Sequence, residues 1–136
     1  MSIFGVGTDL VNIKRIKKVL IKNKKIKKRI FSEEEILFCQ NKLNKYNCFA
    51  KRFAAKEAFA KAIGTGLSKG ISFKDIQVIK DNLGKPGIKI VGKSLNIVCN
   101  ILKSKKFKVF LSLSDDIDYV VAMITIEKWV KNILIY

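Results

Sequence analysis

The chain has 136 residues, enough for one domain with a buried core, and 49% of them are hydrophobic, which excludes a disordered polar tail. Lys and Arg number 28 against 11 Asp and Glu, and the net charge of +17 points to an anionic partner. No histidine is present, so imidazole bases and imidazole metal ligands are excluded. No apolar stretch reaches membrane-spanning length and the first residues, MSIFGVGTDL, lack a signal-peptide pattern. The expectation is a soluble cytoplasmic protein, or one in a plastid-like organelle had a transit segment been removed. Cys39, Cys48 and Cys99 are odd in number and widely spaced, which predicts buried free thiols and neither a disulfide framework nor a zinc site.

In chain order, Ile3 to Leu10 reads as a short strand, and the apolar spacing from Ile13 to Ile30 predicts a helix. Ser32 before Glu33, Glu34 and Glu35 has the form of an N-cap, with a second helix running to about Leu43. Lys51 to Ile63 is a third, alanine-rich helix stopped by Gly64. Ile76 to Lys80 reads as a strand, residues 81–87 as a turn, and Ser94 to Leu102 as a helix. Lys108 to Ser114 and Tyr119 to Glu127 alternate as a hairpin joined by residues 115–118. The class is α+β with a small antiparallel sheet, and residues 1–136 are expected to form one domain.

Three features carry candidate chemistry. The segment from Lys14 to Arg29 holds ten basic residues, and no acid falls between Asn12 and Ser32. Arg15, Lys18, Lys22, Lys25 and Arg29 advance by three and four, so a continuous helix aligns them in one stripe. A solvated face, a nucleic-acid backbone and an acidic protein are its three readings. With no aromatic before Phe31, the stripe favours a protein or a generic polyanion over RNA.

The second feature is GVGTDLV at residues 5–11, which begins like a dinucleotide fingerprint but lacks the third glycine. Its Asp9 is an acid within an apolar strand. A strand end, a partner for a buried base and a metal ligand all remain open.

The third is RFAAKEAFAKAIGTG at residues 52–66, whose alanines imply that something packs closely on this helix. Glu57 and Lys61 have the spacing of a helix-supporting ion pair, worth about 0.2–0.5 kcal/mol. Arg52 and Lys56 share a different stripe. Three cations, one acid and the following Gly64-Thr65-Gly66 backbone amides also suit a pyrophosphate ligand accompanied by Mg²⁺.

GVGTDLVNIKRI, the F-S-E-E-E segment, RFAAKEAFAKAIGTG, the D-N-L-G-K-P turn and S-L-S-D…Y-V-V-A together resemble the holo-[acyl-carrier-protein] synthase family. These are the small 4′-phosphopantetheinyl transferases of type II fatty-acid synthesis, and the resemblance spans residues 3 to about 127. It implies transfer of 4′-phosphopantetheine from coenzyme A to a serine of apo acyl carrier protein, releasing adenosine 3′,5′-bisphosphate. It also implies a homotrimer of α+β subunits with active sites between them. Asp9 and Glu57 fall on Mg²⁺ ligands, with Lys61 beside them in catalysis. Arg52, Lys61, Gly64, Thr65, Gly66, Lys85 and Pro86 fall on the coenzyme A side. Arg15, Lys22 and Lys25 fall where the carrier protein docks.

On this reading Glu57 faces a metal and the helix lysines face phosphates. Two departures stand out: Leu83 replaces an Asn in the turn, and Asp115 stands where many members have His. Asp115 reads as a hairpin residue in preference to a further metal ligand. The competing reading is a non-catalytic basic module that binds RNA or another polyanion; it requires no metal and predicts steep salt dependence.

Overall fold

The computed structural model describes residues 1–66 and 69–130. Strand β1 (Ser2–Asn12) leads into α1 (Ile13–Lys22), α2 (Lys24–Ile30), α3 (Glu33–Gln40) and the long α4 (Lys45–Ile63). A 3₁₀ turn (Phe73–Asp75) precedes β2 (Ile76–Lys80) and β3 (Pro86–Ile90); then follow α5 (Gly92–Leu102), β4 (Phe107–Asp115) and β5 (Tyr119–Lys128). A three-stranded antiparallel sheet has the order β1-β5-β4, and β2 with β3 forms a separate antiparallel hairpin. The α+β expectation holds, with two small sheets in place of one.

Helix α4 is the centre of the molecule, with twelve of its 19 residues buried. It lies against the inner face of the sheet, where Val120, Ala122, Ile124 and Ile126 of β5 are fully buried. Close packing there depends on β1. Gly5 and Gly7 face α4, and a methyl group on either would overlap the carbonyl oxygen of Ala62 or Ala58. The alanines of α4 and the glycines of β1 thus let two backbones touch, which answers what packs on that helix. The opposite sheet face exposes Val6, Leu10, Phe110, Val121 and Met123.

Four local expectations are corrected. The Ile13–Ile30 segment is two helices, because Asn23 adopts an extended conformation: its N–H donates to Val19 O, and its side chain accepts from Lys25 N at 3.1 Å. Asn competes with helical backbone in this way, so the basic stripe is broken between Lys22 and Lys25. Strand β3 hides in a five-residue segment that starts at proline. Helix α4 begins at Lys45 and α3 ends at Gln40, although the N-terminal capping box of Ser32 with Glu35 is present as expected.

The fourth concerns the cysteines. Cys39 and Cys48 form a disulfide, with Cα atoms 5.4 Å apart, and Cys99 alone is free. Spacing along the chain does not reveal this pair, because the turn between α3 and α4 folds its two ends together.

Candidate active site

Odd-numbered residues of β1 face α4, so Asp9 follows Gly7 onto that side. Its carboxylate is 15% exposed and meets Lys61, whose Nζ donates to Asp9 Oδ1 and to Thr8 O, both at 3.0 Å. Asp9, Glu57, Lys61 and Arg15 line one cleft of about 610 Å³, whose wall is Ile16, Val19, Leu20, Ile26, Ile30, Phe31 and Phe53. Residues distant in sequence therefore converge. Partial burial raises the Glu57 pKa, the Asp9 charge raises it further, and Lys61 opposes both. Two carboxylates facing one cleft form an oxygen-rich place for a divalent cation. Mg²⁺ is commonly held by one or two carboxylates together with phosphate oxygens and water, so the donor set fits.

Arg52 is elsewhere. Five residues before Glu57, it is turned about 140° around the helix axis. It is 5% exposed and stacks on Phe38, its guanidinium carbon 4.4 Å from the ring centroid. Among the described residues its Nε has no hydrogen-bond partner, and burial lowers its pKa against the opposing charge of Glu35. Arg52 lines a second cleft, also about 610 Å³, with Lys42, Asn47, Lys51, Lys80, Gly84 and Pro86. Burial lowers the Lys80 pKa, and the charges of Arg52, Lys42 and Lys51 lower it further, as expected in a cluster of cations. The coenzyme A residues expected from sequence are thus divided: Lys61 lies in the first cleft, Arg52 and Pro86 in the second.

The turn leading to Lys85 is organised by Asp81, whose Oδ1 accepts from Leu83 N at 2.9 Å and from Lys85 N at 2.8 Å. Leu83 points to solvent, so the turn does not need an Asn there.

Lys56 overturns part of the sequence reading. It is fully buried and faces no phosphate: its Nζ donates to Glu35 Oε1 at 2.7 Å, Phe73 O at 2.8 Å and Ile76 O at 2.5 Å. Burial lowers its pKa, and Glu35 pulls the other way. Glu35 also accepts from Ser32 N and Val78 N, tying α3, α4 and β2 together. The alanines on nearly every face signalled a largely buried helix, but not which of its lysines enters the core, since Lys61 on the same helix stays exposed.

The Gly64 and Gly66 amides are also not offered to phosphate. Gly64 N donates to Ala60 O and Lys61 O, and Gly66 N to Ala60 O, closing the C-terminal end of α4 with Gly64 left-handed at φ 88°. Asp115 lies outside the Asp9 cleft. Asn47 Nδ2 donates to it at 2.7 Å and lowers its pKa, and Lys51 pairs with it at 3.3 Å. Of the residues expected from sequence to dock the carrier protein, Arg15 lines the first cleft, while Lys22 and Lys25 are exposed on either side of Asn23. Among the described residues no group of three acidic or cysteine side chains forms a metal cluster.

The profile of the 4′-phosphopantetheinyl transferase superfamily matches residues 5–123. A holo-[acyl-carrier-protein] synthase of Pelagibacter ubique is 48% identical over 128 residues, covering 94% of this chain and 99% of the relative. The crystal structure of the Neisseria meningitidis holo-[acyl-carrier-protein] synthase superposes with a TM-score of 0.82 at 41% identity, over 93% of this chain and all of that one. The Bacillus anthracis synthase, crystallised with CoA (3′,5′-ADP), has a TM-score of 0.75 at 33% identity, over 93% and 98% of the chains.

Proposed function

Because the chain belongs to the 4′-phosphopantetheinyl transferase superfamily, we propose that Asp9, Glu57 and Lys61 form the reacting half of its active site. It is a transferase that moves 4′-phosphopantetheine from coenzyme A to a serine of apo acyl carrier protein. The observation that supports the site is the convergence of two carboxylates and an ammonium on one cleft.

Phosphoryl transfer needs positioning and charge neutralisation more than covalent help, which suits a chain without histidine. Asp9 and Glu57 would hold Mg²⁺, which when bound neutralises charge on the pyrophosphate. Lys61 is 56% exposed at its side chain, so its ammonium is free to turn from Asp9 toward a phosphate oxygen and offset the charge that develops there. Leu20, Ile26 and Phe53 give the cleft an apolar lining beside the charged groups. Adenosine 3′,5′-bisphosphate is the expected second product.

Arg52, Lys85 and Pro86 hold the nucleotide end of coenzyme A. The cleft of Arg52 and Pro86 and the Asp9 cleft lie on different sides of α4, which supports an active site shared between subunits of a homotrimer. The open apolar face of the sheet supports the same assembly. Gly64, Thr65 and Gly66 stay in the coenzyme A region as the segment after Lys61, the two glycines not as amide donors. Arg15, Lys22 and Lys25 meet the acidic carrier protein. We place the enzyme in cytoplasmic type II fatty-acid synthesis, with residues 1–136 as one domain; none of the described helices is long and apolar enough to cross a membrane.

The test is the intact mass of apo acyl carrier protein after incubation with the enzyme, coenzyme A and Mg²⁺. A gain of one phosphopantetheine, lost with chelator and strongly reduced by Glu57→Gln, is the expected result. Modification that persists with Glu57→Gln and Asp9→Asn would remove both residues from the site. Salt-sensitive binding of RNA without any modification would favour the basic-module reading.

A further inference from the structure

The second cleft contains a feature that the transfer reaction does not use. Cys48, 8% exposed, lines it beside Arg52 and Lys51, while Cys39 is fully buried at the end of α3. Arg52 Nη1 donates to Cys48 Sγ at 3.2 Å, and Arg52 Nε has no partner among the described residues. The disulfide therefore abuts a buried guanidinium with an unsatisfied donor, in a cleft also lined by Lys42, Lys51 and Lys80.

We propose that the Cys39–Cys48 bridge is a thiol-exchange site that controls Arg52, and through it the affinity of the enzyme for coenzyme A. The inference rests on the reading of Arg52 as a coenzyme A contact. A disulfide sulfur is a weak acceptor and leaves the guanidinium available to an anion. The co-reactant is a dithiol reductant. One of its thiolates attacks Cys48, the sulfur that lines the cleft, and Cys39 leaves as a thiolate that takes up a proton. The second thiol of the reductant then attacks the mixed disulfide, the reductant becomes a cyclic disulfide, and Cys48 is released. Two electrons pass from the dithiol to the protein sulfurs.

The freed Cys48 sits among cations, which favour its thiolate. A thiolate against Arg52 makes a charge-assisted pair and competes with phosphate for the same guanidinium. Reduction thus weakens coenzyme A binding without touching Asp9, Glu57 or Lys61. Cys99, elsewhere on α5, takes no part.

The experiment compares oxidised enzyme with enzyme treated with dithiothreitol. Oxidised protein is expected to be about 2 Da lighter, with one alkylatable cysteine in place of three. Reduction is expected to raise KM for coenzyme A about tenfold, with kcat changed less than about twofold. Cys39→Ser, which leaves a Cys48 thiol, is expected to copy the reduced enzyme under all conditions. Cys48→Ser also lacks the bridge but has no thiolate, and is expected to keep the low KM; a high KM there would show that the bridge acts only by bracing the fold, and would overturn the proposal. So would equal KM values for oxidised and reduced enzyme, or protein that never forms the bridge. Arg52→Ala separates the two layers of the argument. An unchanged KM in that variant sinks the reading of Arg52 as a coenzyme A contact; a raised KM that no longer responds to reduction is the expected result, whereas a raised KM that still climbs about tenfold on reduction sinks the switch alone.

Discussion

Replacing Gly7 with alanine tests the link between fold and site. The added Cβ would overlap Ala58 O and stand 2.7 Å from Ala62 N and 2.9 Å from Ala58 C. All three atoms are helix backbone, so no change of side-chain rotamer relieves the overlap. Restoring contacts of about 3.5 Å moves β1 away from α4 by roughly 1.5 Å. Overpacking of this kind costs about 3 kcal/mol, and the thermal midpoint of a chain this size should fall by about 10 °C. Asp9 follows on the same face of the strand, so it retreats from Glu57 and Lys61 with the backbone. A displacement of that size at a reacting centre lowers kcat on the order of 100-fold. Scanning calorimetry and conversion of apo carrier protein, measured on the same preparation, check both effects. A midpoint within about 2 °C of wild type together with an unchanged kcat would refute the backbone contact between β1 and α4.

Lys56→Met leaves Glu35 buried without its cation and should cost about 3–5 kcal/mol, read from urea unfolding, while KM for coenzyme A in the folded fraction stays within about twofold. The Glu35→Gln/Lys56→Met pair should regain much of that stability, and failure to do so would argue against a paired buried charge. Because the folded-state Glu57 pKa is raised, its contribution to stability is present below the ordinary carboxylate range and is lost as pH rises through the folded value. Metal-free wild type should therefore lose stability as pH rises above about 4.5, and Glu57→Gln should lose less; equal slopes would contradict the burial and charge argument. Mg²⁺ should raise the melting temperature of wild type and leave that of Glu57→Gln unchanged. Asp115→Asn removes an exposed pair with Lys51, so stability should change by no more than about 1 kcal/mol and kcat should hold, whereas loss of Mg²⁺ dependence would return Asp115 to the metal site.

The sequence displayed the frame of this fold because its signals are local. The capping box at Ser32 and Glu35, the alternation in β4 and β5, and the glycine stop after Ile63 each depend on residues a few positions apart. What it concealed is set by long-range packing. Lys56 and Glu57 are neighbours in the chain, yet one enters the core and the other a cleft, and only the surroundings of α4 decide which. The disulfide depends on how a four-residue turn folds, and Asn23 breaks a helix that the apolar periodicity carries straight through. Asp9 and Glu57 were recognisable by motif, but their meeting rests on Gly5 and Gly7, which give the strand its seat on the helix.

The placement of α4 also decides where the gene tolerates insertions and deletions. A helix turns by about 100° per residue, so one residue added between Arg52 and Lys61 would put neighbouring positions out of phase. A lysine would then point toward the cleft and a carboxylate into the core. Added residues in the exposed turn at 41–44 would leave that helical phase unchanged, although they would disturb the turn that brings Cys39 to Cys48. Length variation among functional versions of this chain should therefore stay out of the ten positions from Arg52 to Lys61, which carry Lys56 for the core and Glu57 and Lys61 for the cleft.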